Sequence, residues 1–366
     1  MKSGNGPLAG VKVLEFAGMG PGPFAAMMLS DMGADVLRIE RKGAADPQPH
    51  NLSSRGRRII EMDLKDSAAV EECLRLAQSA DILIEGYRPG VMERRGLGPD
   101  AVLSRNPKIV YGRMTGWGQE GPLAQRAGHD INYLSLTGAL HAIGTEAEPV
   151  PPLNLAADYG GGAMMLVAGV LAALLHARQT GRGQVVDAAM TDGAAYLMTA
   201  FYGMFAGGEW EDRRQANWLD GGAHYYGVYR CADGKWISVG SIEPQFYALL
   251  MEKTGAGEFL LHSQNDRGAW PGMRAKLETI FAAKTSEEWC EILGDTDVCF
   301  APVLPLSEAP HHPHNVARQT FVELGGIVQP APAPRFSHTP SAIRWAPAPV
   351  ERDAERVMAE WIAPPS

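Results

Sequence analysis

The stretch GVKVLEFAGMGPGPFAAMMLSDMGADVLRIE, residues 10–40, sets the fold class of the N-terminal part of the chain. Residues 10–16 form a short apolar run typical of a buried strand, and residues 24–32 have the pattern of a helix. A second strand pattern follows at residues 34–40. Short strands that alternate with helices of this length predict an α/β fold with a mostly parallel sheet.

The alternation continues along the chain. The later elements that it predicts are a strand at residues 57–62, a helix at 67–79, and strands at 81–85 and 109–113. Residues 122–152 are irregular in pattern and are expected to form loops. A long helix at residues 159–179 is entered through a run of glycines.

The character of the sequence changes after residue 216. CADGKWISVG, residues 231–240, predicts a β-hairpin that turns at Asp233-Gly234, and helices are expected at 244–254 and 269–281. The tail from Pro330 is rich in proline and is expected to be an extended strap, before a final helix at 353–362. The predicted domains are a large Rossmann-like parallel-sheet domain at 1–195 completed by 325–366, a smaller α+β domain at 220–308, and linkers at 196–219 and 309–324.

Composition narrows the functional classes. A chain of 366 residues fits two domains, and a net charge of −9 argues against a nucleic-acid-binding protein. The four cysteines are scattered without a CxxC pair, which favours free thiols over disulfides or a zinc site. The N-terminus lacks the pattern of a signal peptide, and the apolar stretch 163–176, interrupted by Gly169, is read as a buried helix too short for a membrane span. We therefore expect a cytoplasmic protein without a membrane partner.

The turn GMGPGP, residues 18–23, could be mistaken for a dinucleotide-binding loop. Pro23 stands where that fingerprint requires its last glycine, so a nicotinamide cofactor is not favoured. A tight turn that brings backbone N–H groups at a helix N-terminus close to polar atoms of a ligand fits better.

Basic residues follow the early strands. In an open parallel sheet the ligand crevice lies at the carboxyl ends of the strands, and Arg41 and Arg88 fall just past two such ends. A solvated surface explains any single arginine, but several at successive strand ends of an acidic protein favour a phosphate-bearing ligand. The residues in question are Arg38, Arg41, Lys42, Arg55, Arg57, Arg58, Lys65, Arg88, Arg94 and Arg95.

Three places in the sequence carry candidate acids and bases, and from the residues alone each has a structural alternative. His129-Asp130 is either a hydrogen-bonded structural pair or catalytic. Asp158, before three glycines, and Glu243, before Pro244, are both placed as helix N-caps, although a capping carboxylate can also take part in chemistry. The tract His311, His312 and His314 is interrupted by prolines and is expected to be a loop rather than a metal site.

Taken together, these motifs resemble the class III CoA-transferases and the α-methylacyl-CoA racemases that share their fold. The resemblance runs in order through nearly the whole chain. It is carried by LAGVKVLEFAGMGPGPFAAMMLSDMGADVLRIER, DILIEGYRPGVMERRGLGP, YGRMTGWGQEGP, AGHDINYLSLTGALHAIG, PPLNLAADYGGGAM, GRGQVVDAAMTDG, LDGGAHYYGVY, VGSIEPQFY, APVL and PAPRFS.

The resemblance implies roles for particular residues. In the transferases the aspartate that matches Asp158 attacks the thioester, whereas in the racemases it is one base and the histidine of the GHDINY loop, here His129, is the other. Because both are present, the sequence is similar to the racemases, and Glu243 matches the glutamate that hydrogen-bonds the histidine. The positions that match CoA contacts are Arg41, Met62, Asp63, Leu64, Lys65, Gly86, Tyr87, Arg88, Arg94, Gly128, Ile131, Asn132 and Tyr133. Met62 stands where most of the family has a small residue.

The implied reaction is the interconversion of R and S 2-methylacyl-CoA thioesters through an enolate. His129 is expected to act on the S face and Asp158 on the R face, and the backbone N–H of Asp130 to donate to the enolate oxygen. CoA belongs to the substrate, so no separate cofactor and no metal are implied. The family also implies an interlocked homodimer with sites shared between chains. Two alternatives stay open, namely CoA transfer to a carboxylic acid with Asp158 as nucleophile and a non-catalytic CoA-binding protein.

Overall fold

The computed structural model describes residues 6–257 and 263–363 and divides the chain into two compact units. The first comprises Met1–Thr137, Leu153–Met198 and Ala317–Ser366, and the second comprises Gly138–Pro152 and Thr199–Val316. Residues 138–152, assigned to the large domain from sequence, pack within the second unit.

A six-stranded parallel sheet forms the centre of the first unit. Its strands are β1 (Lys12–Phe16), β2 (Asp35–Arg41), β3 (Arg57–Met62), β4 (Ile82–Glu85), β5 (Val110–Thr115) and β6 (Val185–Ala189), in the spatial order β3-β2-β1-β4-β5-β6. The parallel sheet confirms the predicted fold class, although β6 was not among the predicted strands. The order reverses between β1 and β4, and a crevice is expected at the carboxyl ends of strands beside such a reversal.

The helices in chain order are α1 (Pro21–Asp31), α2 (Ser67–Gln78), α3 (Val91–Arg94), α4 (Pro99–Arg105), α5 (Asp130–Ser135), α6 (Ala139–Ala142), α7 (Met165–Thr180), α8 (Met190–Leu197), α9 (Thr199–Ala206), α10 (Pro244–Thr254), α11 (Trp270–Phe281), α12 (Ser286–Leu293), α13 (Pro313–Arg318) and α14 (Ala354–Ile362). Helices α5 and α6 correct the prediction of loops throughout 122–152. On one face of the sheet, Val357 and Trp361 of α14 join the core formed with Leu14, Leu37 and Leu83.

The predicted long helix begins earlier than expected and is not an α-helix throughout. Residues Leu155–Met164 form a π-helix that runs directly into α7. Together they make Leu155–Thr180, which is long and apolar enough to cross a bilayer, so the expectation that the segment is too short was wrong. Half of its apolar stretch is buried inside the fold, and a single helix of this length and composition is weak evidence for a membrane span.

The second unit contains an antiparallel sheet of β7 (Tyr226–Arg230), β8 (Trp236–Gly240) and β9 (Phe300–Val303). The predicted turn at Asp233-Gly234 joins β7 to β8, and Gly234 has a φ of 78°. Aromatic side chains from the sheet and from α10–α12 fill the core of this unit: Tyr229, Tyr247, Phe281 and Trp289.

A further hairpin lies in the first unit, where the sequence predicted a linker and the start of the tail. Strands β10 (Phe321–Leu324) and β11 (Ile327–Pro330) pair antiparallel. They turn at Gly325-Gly326, whose φ values of 63° and 77° lie in the left-handed region that glycine tolerates. The glycine pair was a hairpin signal that the sequence analysis missed.

Candidate active site

A cavity of about 500 Å³ opens at the carboxyl ends of β1, β4 and β5, beside the reversal of strand order. It is lined by residues from Gly18–Pro23, Glu85–Pro89, Met114–Trp117 and 126–129, together with Tyr133, Asp158 and Met190. All of these residues belong to the first unit. The predicted ligand crevice therefore exists, and it contains both His129 and Asp158.

His129 stands immediately before α5, at the N-cap position, and its side chain is exposed. Its backbone N–H donates to Oδ1 of Asn132 at 3.0 Å, which fixes the entry into the helix. A protonated His129 lowers the pKa of Asp158, because the two side chains are close enough to interact electrostatically. The structure thus brings together the two residues that the sequence analysis paired.

Asp158 lies inside the π-helix Leu155–Met164 and is not its N-cap, so that reading was wrong. The N-cap is Asn154, whose Nδ2 donates to Oδ2 of Asp158 at 3.3 Å. Burial is the main reason that the pKa of Asp158 is raised; the Asn154 hydrogen bond opposes that effect and the charge on Asp130 adds to it. π-Helical turns are rare and are frequent at functional sites.

The side chain of Asp130 contacts the helix of Asp158 in a way that sequence reasoning missed. Its Oδ2 accepts the backbone N–H groups of Ala157 at 2.9 Å and of Asp158 at 2.7 Å. Asp130 is only 7% exposed. The backbone N–H of Asp130 was predicted to donate to the enolate oxygen, and this role stays a prediction.

The GMGPGP turn lies against Asp158. Gly20 has a φ of 66°, and a Cβ at this position would lie 3.3 Å from Oδ2 of Asp158. Tyr133 is a further neighbour in the cavity, since its hydroxyl donates to the carbonyl of Gly128. Burial, with a smaller effect from the charge of Asp158, raises the pKa of Tyr133.

A buried carboxylate orders the loop that follows β4. Oε2 of Glu85 accepts a hydrogen bond from the backbone N–H of Tyr87 at 2.7 Å, and Oε1 accepts one from Nε of Arg113 at 2.9 Å. Arg113 also pairs with Glu93 at 2.8 Å. Burial raises the pKa of Glu85. No pattern in the sequence marked Glu85 or Arg113, because their pairing joins adjacent strands rather than neighbouring positions.

A second cavity, of about 440 Å³, lies further along the same edge of the sheet. It is lined by Ile39, Glu40, Arg41, Lys42, Met62, Asp63, Leu64, Lys65, Tyr87, Val91, Met92 and Arg95. Six predicted CoA contacts are therefore grouped here: Arg41, Met62, Asp63, Leu64, Lys65 and Tyr87. Three cations, Lys42, Lys65 and Arg95, lie in the lining with Arg41, which suits a phosphate-bearing ligand.

The other predicted CoA contacts are distributed differently. Gly86, Arg88, Gly128 and Tyr133 line the 500 Å³ cavity. Arg94 in α3, and Ile131 and Asn132 in α5, are in the lining of neither cavity.

Several arginines that the sequence analysis grouped as phosphate ligands are instead used within the fold. Arg55 pairs with Asp31 at 2.6 Å, and Arg57 with Glu15 at 3.2 Å, all four side chains being buried. The remaining two pairs are Arg58 with Asp35 at 3.1 Å and Arg38 with Glu40 at 2.9 Å. The prediction was wrong for these four arginines, because sequence shows a cation but not the carboxylate that pairs with it.

Glu243 lies in the second unit, at the N-cap position of α10, as its place before Pro244 predicted. Its pairing with His129 stays a prediction. Within residues 6–257 and 263–363 there is no group of three or more histidine, cysteine, aspartate or glutamate side chains that could hold a metal ion, and this includes the histidine tract at 311–314.

Comparison with known proteins identifies the family. A sequence model of CoA-transferase family III matches residues 8–353. The chain belongs to CoA-transferase family III. It is 46% identical over 336 residues to the mouse protein named alpha-methylacyl-CoA racemase, and 43% identical over 338 residues to the human protein of that name. Each alignment covers 91% of this chain and 87% of the relative.

Solved structures of the family have the same fold. The crystal structure of a hypothetical protein, Rv3272, from Mycobacterium tuberculosis superimposes with a TM-score of 0.82 at 27% sequence identity. The superposition covers 98% of this chain and all of the other, 100%. This chain therefore has the α/β fold of that solved structure.

Proposed function

We propose that this chain is an α-methylacyl-CoA racemase that interconverts the R and S epimers of 2-methylacyl-CoA thioesters. The observation that carries the proposal is that His129 and Asp158 open on one cavity at the carboxyl edge of the sheet. Proteins named for this activity are 43% and 46% identical to the chain. The cationic cavity along the same edge of the sheet shares Tyr87 with the first cavity, and it supports an acyl-CoA substrate whose phosphates bind there while the pantetheine arm leads to the thioester.

The chemistry requires two groups on opposite faces of the α-carbon. The α-proton of a thioester is a weak acid, so one group removes it while the other delivers a proton to the opposite face. An imidazole is suited to proton transfer near neutral pH, and burial raises the pKa of Asp158, which brings the proton affinity of its carboxylate closer to that of its partner. We assign His129 to the S face and Asp158 to the R face, with exchanged roles in the reverse direction.

Two further groups complete the proposed mechanism. The backbone N–H of Asp130 donates to the oxygen on which enolate charge develops, and such donors contribute strongly in a site that excludes water. Glu243 holds the tautomer of His129 by accepting from its other ring nitrogen. We further propose that the enzyme is a cytoplasmic homodimer in which the two chains complete each other's sites.

The test is α-proton exchange in deuterium oxide, with each epimer of a 2-methylacyl-CoA supplied separately. The wild type is expected to incorporate deuterium from either epimer and to reach the same mixture. His129→Ala is expected to lose racemisation, because one face then lacks its base. No exchange from any of several 2-methylacyl thioesters of different length would contradict the proposal.

CoA transfer to a carboxylic acid is the second candidate, and membership of CoA-transferase family III favours it. In that reaction the carboxylate of Asp158 attacks the thioester carbonyl, and the CoA thiolate leaves as the mixed anhydride forms. Hydroxylamine would trap that anhydride and increase the mass of the Asp158 peptide. Transfer activity that survives in His129→Ala would favour this function over racemisation.

A further inference from the structure

We propose that Asp130 is a positioning residue, whose side-chain carboxylate holds Asp158 at the position relative to His129 that catalysis requires. The inference rests on the proposed racemase function and concerns the side chain of Asp130, not its backbone N–H. Its basis is the pair of hydrogen bonds from Ala157 and Asp158 to a single oxygen, Oδ2 of Asp130, at 2.9 and 2.7 Å.

The first N–H groups of a helix have no acceptor within the helix and need one from elsewhere. At the start of the π-helix the N-cap residue does not supply it, because the side chain of Asn154 donates to Asp158 instead of accepting. Asp130 supplies the acceptor from another helix, 27 and 28 positions earlier in the chain. Asp130 thus acts as the cap of the helix on which Asp158 lies.

The connection is short on both sides. Asp130 is the first residue of α5 and directly follows His129, so the backbone positions of the two are covalently linked. On the other side, one of the two hydrogen bonds comes from the N–H of Asp158 itself. The chain of contacts from His129 through Asp130 to Asp158 therefore contains one peptide bond and one hydrogen bond. This short connection suits His129 and Asp158, because both bases must reach the same α-carbon of the substrate.

The carboxylate also acts on Asp158 through its charge. Besides burial, Asn154, Asp130 and His129 affect the pKa of Asp158, and the charge of Asp158 in turn raises the pKa of Tyr133. Asp130 raises the pKa of Asp158, whereas His129 and Asn154 lower it. The other oxygen of Asp130, Oδ1, is buried and accepts no hydrogen bond from the part of the chain that the structure describes. Because Oδ2 alone accepts both hydrogen bonds, a substitution can remove the charge of Asp130 and keep an acceptor for the two N–H groups.

Asp130→Asn keeps an oxygen for the two N–H groups and removes the charge, whereas Asp130→Ala removes both. For Asp130→Asn we expect a KM for 2-methylacyl-CoA within about twofold of wild type and an acidic limb of the kcat profile shifted to lower pH. For Asp130→Ala we expect kcat to fall about 100-fold, since a displacement of about 1 Å can cost that much.

Asp353→Ala, which removes the carboxylate cap from Arg356 N–H at the start of α14, is the matched control. It is expected to lower thermal stability without changing kcat or the pH profile.

A second readout needs no activity. The pKa of Asp158, followed by the carboxyl ¹³C shift of labelled protein, is expected to fall in Asp130→Asn and to stay unchanged in Asp353→Ala. An unchanged kcat in Asp130→Ala would overturn the inference, and an unchanged Asp158 pKa in Asp130→Asn would overturn its electrostatic part. If Asp130→Ala does not fold, Asp130→Ser, whose side chain is too short to keep both hydrogen bonds, takes its place, and an unchanged kcat in that variant would overturn the inference. Exchange that is absent from the wild type would instead overturn the proposed racemase function, while the ¹³C result still tests the contact.

Discussion

Gly193 of α8 and Gly161 of the π-helix lie backbone to backbone, so that a Cβ atom on Gly193 would overlap the carbonyl oxygen of Gly161. The converse also holds, because a Cβ on Gly161 would lie 2.5 Å from the backbone nitrogen of Ala194. Neither neighbour is the end of a flexible side chain that could move away. The helix that carries Asp158 is therefore held in place by a contact that only glycine permits.

Gly193→Ala is expected to displace the π-helix and with it Asp158. Overpacking of this kind typically costs about 1–3 kcal/mol of folding free energy, and we expect kcat to fall by more than KM changes. The measurements are thermal unfolding and racemisation kinetics. Gly272→Ala in α11 is the control, because its Cβ would meet nothing within 4 Å. Equal effects from the two substitutions would contradict the contact.

Glu85→Gln is expected to weaken acyl-CoA binding more than catalysis. The substitution leaves one oxygen for two donors, Tyr87 N–H and Arg113, so the loop after β4 loses its order. We expect KM for the thioester to rise about tenfold with kcat within about threefold, as for the loss of ground-state binding. Stability should also fall, because Arg113 is buried and loses a charged partner.

Glu93→Gln provides the comparison for that experiment, since Glu93 pairs with the same arginine from a side chain that is 44% exposed. Its effect on KM and on stability is expected to be smaller. A larger KM change in Glu93→Gln than in Glu85→Gln would show that the order of the loop does not depend on the buried carboxylate.

We expect the free energy of unfolding of the protein to decrease in mild acid because of the buried residue His224. Its ring is fully buried, Nε2 is 2.7 Å from the hydroxyl of Tyr247, and Nδ1 has no hydrogen-bond partner among the described residues. Burial, with a smaller effect from Arg274, lowers the pKa of His224 to about 4 from its ordinary 6.5. The unfolded chain therefore binds a proton that the folded chain does not. Stability from this residue is complete above pH 6.5 and decreases as the pH falls toward 4, by up to about 3 kcal/mol.

Denaturant unfolding of wild type and His224→Gln between pH 4 and 7 measures this contribution. Gln can keep a hydrogen bond to Tyr247 and does not titrate, so the stability of the variant should vary less with pH. The control is His338→Gln, which removes an exposed imidazole of the proline-rich tail. Parallel pH curves for wild type and His224→Gln would rule out a buried neutral imidazole.

Parts of this fold were predictable because they depend on local pattern. The strands at 12–16, 35–41 and 57–62 each contain a pair of adjacent apolar residues within a short segment flanked by turns, and the start of α10 follows from Pro244. The strand 185–189 was missed because three of its five residues are not buried and its pattern is weak. Residues 155–164 were predicted in part as helix, but apolar periodicity does not distinguish a π-helix from an α-helix.

The residues of the candidate site likewise include some that the sequence predicts and others that only the folded structure shows. His129 and Asp158 were found from motifs, and their common cavity follows from the parallel sheet and its reversal of strand order. Glu85 and the side chain of Asp130 were not found, because each acts through backbone N–H groups whose positions exist only after folding. The pairing of Arg57 with Glu15 was hidden for the same reason, since it joins residues on different strands.

Asp158→Asn is expected to remove activity while it relieves a cost in folding free energy. Burial raises the pKa of Asp158 above its ordinary 3.8, so the folded chain binds more protons than the unfolded chain just above that pH. The stability contributed by Asp158 therefore decreases as the pH rises through this window, and asparagine carries no such penalty. The unfolding temperature of the variant should rise relative to wild type between pH 4 and pH 7. Racemisation should fall about 10²–10⁴-fold, as for the loss of a general acid–base.

Asparagine at position 158 can still accept from Nδ2 of Asn154, so the hydrogen bond at the helix start is preserved. Asp353→Asn removes an exposed carboxylate at another helix start and serves as the control, with no expected gain in stability between pH 4 and pH 7. The measurement is differential scanning calorimetry of the three proteins at each pH. A stability difference between Asp158→Asn and wild type that is the same at pH 4 and pH 7 would show that Asp158 does not titrate abnormally, and the assignment of a burial-tuned base would then be wrong.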